Sequence, residues 1–187
     1  MNTLPALDLR GIRAGVAAMY DGADRASAQL RGAQLATILR LTPFAMLANV
    51  GSALAVLWAF RGTLPVGMVW WFAALVTVAA LATLNWWQHR HRRLETASPR
   101  AAHRATRHAA LLAGAWAVVP LVWFPTASAA QQILLATLFT GMLGAGTFML
   151  GALPRAAVAY AAIYTAAALG ALLRTQEAAL AGVIALI

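Results

Sequence analysis

Residues 109–153 carry no charged side chain over an unbroken stretch bounded by His108 and Arg155. A bilayer's hydrocarbon core is about 30 Å thick and takes roughly 20 apolar residues per helical crossing. The stretch is therefore too long for one crossing. Pro125, Thr126 and Ser128 supply a break, which divides it into candidate spans at 109–124 and 132–153. Three more uncharged runs lie at 41–60, 67–87 and 156–173. A final apolar run, 178–187, has ten residues and at ~1.5 Å rise per residue reaches only about half-way through the hydrocarbon core. A helix ending there would strand its last carbonyls in lipid, so the expectation is a sixth crossing completed by residues beyond Ile187. The runs are continuous rather than the ~10-residue alternating segments of a barrel, and they are rich in Ala and Leu, which favour helix. The fold class expected is all-α: a polytopic transmembrane helix bundle with five complete spans, a truncated sixth and a cytoplasmic N-terminus.

Composition agrees. Of 187 residues 62% are hydrophobic and 10% charged, against roughly 45–50% and 25% in soluble domains. A typical soluble enzyme, a disordered tail and a nucleic-acid-binding module are all excluded. There is no cysteine, which removes disulfides and thiolate sites. The net charge is +9, and every one of the 14 basic residues is arginine. A basic, apolar chain points to anionic lipid headgroups as partner rather than nucleic acid.

The arginines set the orientation. Arg10, Arg13, Arg25, Arg31 and Arg40 precede the first span. Arg90, Arg92, Arg93, Arg100, Arg104 and Arg107 lie between the second and third, and Arg155 between the fourth and fifth. Only Arg61 and Arg174 fall on the other side. The positive-inside rule places the larger set in the cytoplasm. Trp70 and Trp71, Trp86 and Trp87, and Trp123 lie near span ends, where headgroups favour indoles. Trp58 and Trp116 fit either an interface or a packed interior.

Residues 1–40 form a cytosolic or interfacial segment, and 41–187 the membrane bundle. No secretory signal is read, because the first strong apolar run begins too late. Leu9, Ile12, Val16 and Met19 share one helical face within 7–20, which suggests an amphipathic helix on the inner surface or else a frayed tail. Gly22 and Asp24 mark a break. A second helix, from Arg25 to Arg40, is expected to run directly into the first span, with Pro43 near the membrane boundary.

Candidate chemistry is sparse. His89, His91, His103 and His108 lie in or beside the connector QHRHRRLETASPRAAHRATRH. The surrounding arginines, with Glu95 as the lone carboxylate, disfavour a divalent cation. No metal or cofactor is assigned. Arg90, Arg92, Arg93, Arg104 and Arg107 are read instead as topology and lipid-contact residues, each worth ~1 kcal/mol at an anionic leaflet. No charged residue or histidine lies inside a complete span, which argues against coupled transport. The polar groups available there, such as Asn49, Asn85, Thr77 and Thr147, default to interhelical or backbone hydrogen bonds. The fourth span, with Gly141, Gly144 and Gly146, is read as a central packing helix. Those glycines, with Tyr160 and Tyr164 one turn apart on the fifth span, either line a ligand crevice or simply pack. No phosphate-binding loop, Ser-His-Asp set or close carboxylate pair is present, so no catalytic residue is assigned.

The run RGAQLATILRLTPFAMLANVGSALAVLWAF, the basic connector, and TGMLGAGTFMLGALPRAAVAY followed by an aromatic span together resemble the six-helix membrane region of bacterial diguanylate cyclases and phosphodiesterases of cyclic di-GMP. Similar regions precede some sensor histidine kinases. The likeness runs from Arg31 onward and rests on Arg31, Gln34, Pro43 and Asn49 among others. It implies a multi-pass protein of the bacterial inner membrane, usually a homodimer, with a sensory or anchoring role. It also implies a C-terminal Gly-Gly-Asp-Glu-Phe domain, with or without a phosphodiesterase domain, outside this chain. The stimulus is not named by it. A small integral membrane transporter or permease, and a plain anchor without sensing, are the competing readings.

Overall fold

The computed structural model describes residues 24–91 and 95–175. They form five long helices and one short turn of 3₁₀ helix: α1 (Arg25–Ala59), α2 (Val66–His89), α3 (Pro99–Val122), the 3₁₀ turn Phe124–Thr126, α4 (Ala129–Leu150) and α5 (Pro154–Arg174). All five are long and apolar enough to cross a membrane. The expected amphipathic helix at 7–20, the final run 178–187, and Arg92 and Arg93 lie outside the described residues.

Each helix starts and stops for local reasons. The Asp24 carboxylate accepts from the Ser27 backbone N–H at 3.1 Å and caps α1. α1 then runs unbroken for 35 residues, through Pro43. α2 ends beside Arg90. α3 begins at Pro99, ten residues before the uncharged run, because Ser98-Pro99 is a helix-start pair: proline at the first helical position lacks only an N–H that would have no partner there. The basic connector is therefore short, and Arg100, Arg104 and Arg107 sit on helix rather than loop. Ser128 and Gln131 form a reciprocal capping box at the head of α4. Gln131 also donates to the Ala59 carbonyl at 2.9 Å, tying α4 to the end of α1.

The tightest seam lies between α3 and α5, which form the most extensive helix pair. Ala102, Ala109, Ala113 and Ala117 on α3, and Ala156, Ala167 and Ala171 on α5, are all buried. Their small size lets the backbones approach. At Gly170 a methyl group would stand 2.8 Å from the Leu121 side chain. The fourth span is not the central helix the sequence suggested. α4 buries only Leu135, and no atom lies within 4 Å of the open faces of Gly141 and Gly144. The close-packing role falls to alanines instead.

The tryptophans divide in two. Trp71, Trp116 and Trp123 are buried and meet edge to face, with Trp71 at 5.2 Å from Trp116 and 6.1 Å from Trp123. Trp71 and Trp123 thus pack inside the bundle rather than facing headgroups, since their indoles fill the gap between α2 and α3. Trp58, Trp70 and Trp87 stay exposed. The Arg61 guanidinium stands over the Trp58 ring and that of Arg90 over Trp87, one such pair at each end of the bundle. Phe44, Leu47 and Phe148 also face outward, Phe148 at 86% exposure. An exterior this apolar is suited to lipid association, because soluble monomers rarely expose apolar patches beyond a few hundred Å².

Candidate functional site

The helices are pinned to one another toward the Trp58 end and part around a cleft toward the arginine-bearing end. At the Trp58 end Trp71 Nε1 donates to the Ala115 carbonyl at 2.7 Å, pinning α2 to α3. Arg174 donates to the Leu121 carbonyl, joining α5 to the foot of α3. Toward the other end the five helices enclose a cleft of about 760 Å³.

Its floor is a buried polar pair. Asn49, 7% exposed, donates from Nδ2 to the Ala45 carbonyl at 2.8 Å, and its Oδ1 accepts from Trp116 Nε1 at 2.7 Å. The Thr42 hydroxyl donates to the Ile38 carbonyl at 3.0 Å. The Tyr160 hydroxyl donates to the Met142 carbonyl at 3.3 Å. These partners occupy polar atoms of the inner half, leaving its surface to Met46, Leu112, Met142 and neighbouring alanines.

The mouth has opposite chemistry. His89 from α2, and Arg104 and His108 from α3, border it together with Ser98 at the start of α3. No acidic side chain lines the cleft among the described residues. One wall of the mouth is held by a latch: Arg31, 2% exposed, donates from Nε to the Ala97 carbonyl at 3.0 Å, and the Ala97 N–H donates to the Ala28 carbonyl at 2.9 Å. Beneath it a small apolar cluster joins Ala102, Ala109, Leu153 and Ala156 with Leu35 and Ile38.

Of the residues singled out as crevice or packing candidates, Gly146 and Tyr160 line this cleft. They touch: a methyl group on Gly146 would come within 2.5 Å of the Tyr160 ring. Tyr164 stacks on Tyr160 at 4.6 Å and lies 4.4 Å from Phe139, behind the cleft wall. Gly141 and Gly144 face away from it. Of the topology arginines, Arg104 borders the mouth, Arg90 covers Trp87, and Arg107 is exposed on α3. No three His, Cys, Asp or Glu side chains converge to hold a metal among the described residues.

Sequence reasoning missed Arg31 and the Asn49–Trp116 pair as structural anchors. Asn49 was visible as an amide inside an apolar run, where an unpaired polar group is costly. Its partner, 67 residues away in sequence, was not.

No protein-family model, curated protein or solved structure matches the chain.

Proposed function

We propose that the chain is a sensory and anchoring module of the bacterial inner membrane, with its arginine-bearing end in the cytoplasm. The observation that carries this reading is the cleft: an opening among five helices toward the arginine-bearing end of an apolar bundle. An occupant that prefers one spacing of those helices shifts the bundle toward it, and only a ligand with such a preference shifts anything. The sequence resemblance supports the finer reading, in which the module serves, as a homodimer, a domain that makes or degrades cyclic di-GMP.

Two experiments test it. Because the chain has no cysteine, single cysteines report sidedness cleanly. A membrane-impermeant maleimide added to intact cells should label Gly62→Cys and spare Ser98→Cys; the reverse pattern overturns the orientation. The reading frame beyond Ile187 tests the output domain: a Gly-Gly-Asp-Glu-Phe segment supports it, and an immediate stop codon removes it.

A further inference from the structure

We propose that the cleft holds one anionic phospholipid of the leaflet at the arginine-bearing end, with its phosphate at Arg104 and its acyl chain running inward to Met46 and Leu112. The inference rests on the membrane reading above and deepens it by naming the ligand class.

Three independent features converge. The first is charge. Arg104 presents a fork of donors suited to phosphate, with the His89 and His108 imidazoles bordering the same cleft and no carboxylate among its lining residues, Glu95 standing one position before the lining residue Thr96. The second is the start of α3. Ser98 lies at the mouth, and its side chain makes no capping bond to the first turn. Backbone N–H groups at a helix N-terminus attract anions. The third is the interior. Thr42, Asn49 and Tyr160 all have hydrogen-bond partners within the protein, so the inner half offers little to a polar solute. The cleft's volume of about 760 Å³ falls within the ~300–1,000 Å³ of small-molecule sites.

Length fits as well. From Leu35 to Asn49 the cleft follows α1 for roughly 21 Å at 1.5 Å per residue, somewhat more than one leaflet's half of the ~30 Å hydrocarbon core. A headgroup plus one chain matches that span.

The test uses the full chain in nanodiscs of equal phosphatidylglycerol and phosphatidylcholine, released for native mass spectrometry. Phosphatidylglycerol should be retained in preference. Arg104→Ala should weaken that retention about fivefold, the worth of one arginine at an anionic surface, while Arg104→Lys largely keeps it. Phosphatidylglycerol with a photoreactive acyl chain should label Met46, Leu112 or Met142. Equal retention of both lipids, an Arg104→Ala variant with unchanged retention, or labels confined to the outward-facing Phe44 and Leu47 would each overturn the assignment. So would increased retention on deleting residues 7–20, which would make that segment the occupant. Correct cysteine labelling with no lipid preference defeats the lipid site alone; reversed labelling defeats the orientation on which the choice of leaflet rests.

Discussion

Asn49 and Trp116 show how one side chain can position another across the bundle. The indole N–H is buried, and the amide oxygen is its partner. Replacing Asn49 with Leu leaves that donor unmet. A double-mutant cycle of Asn49→Leu with Trp116→Phe should give a coupling of about 1 kcal/mol, within the range of interhelical hydrogen bonds in membranes, read from unfolding in mixed micelles. The glycines of α4 divide more sharply. Gly146→Ala must displace the Tyr160 ring and should cost ~1–3 kcal/mol, as overpacking does. Gly144→Ala meets open space and should be neutral or stabilising by up to about 1 kcal/mol through helix propensity. Outside the membrane, hydrogen bonds from Ser27, first its side chain and then its backbone, hold the Asp24 carboxyl below its ordinary value of 3.8, with Arg31 adding a weaker pull. Its capping contribution is complete above that unfolded value and is lost as pH falls through the lower folded one. Amide exchange in the first turn of α1 should accordingly accelerate below about pH 3.8, and an Asp24→Asn variant should abolish that pH dependence.

Among the elements, the latch between α1 and the α2–α3 connector is the most exposed to a single change. Arg31→Ala removes a buried donor and leaves the Ala97 carbonyl without it. Local opening of residues 95–98 should become easier by about 1–3 kcal/mol, detected as faster amide exchange there while the α3–α5 seam stays protected. The helices themselves were largely legible. Each uncharged run among the described residues falls within or against one helix, because a segment crossing lipid must satisfy its backbone internally. Two starts were written in the sequence and overlooked: Ser98-Pro99 for α3, and Ser128 with Gln131 three residues later for α4. The neighbours of each helix were less legible. In an alanine-rich chain small residues mark every face, so composition could not say that the close seam joins α3 to α5 while α4 stays outside. The two halves of the Asn49–Trp116 pair, like Arg31 and Ala97, meet only through the tertiary arrangement.

At the scale of the whole molecule, the interior and exterior are similarly apolar, and order comes from shape and a few polar pins. Three tryptophans fill one end, while the other is left wide enough for a guest. The candidate site was correspondingly half-readable. Gly146 and Tyr160 could be picked out as a glycine and a ring on consecutive spans, but Arg104 was one arginine among many until α3 was seen to start at Pro99. One feature of α1 bears on how such a guest would be felt. At 35 residues the helix is roughly 52 Å long, well over the ~30 Å of hydrocarbon it can occupy when upright. The part ahead of Leu41 is a lever arm of about 24 Å, and a tilt of about ten degrees near Pro43 would swing its tip through roughly 4 Å. Because Ala28 and Arg31 grip the connector ahead of α3, that swing would tug directly on the neighbouring helix, turning a small adjustment beside the cleft into a stroke delivered at the aqueous face.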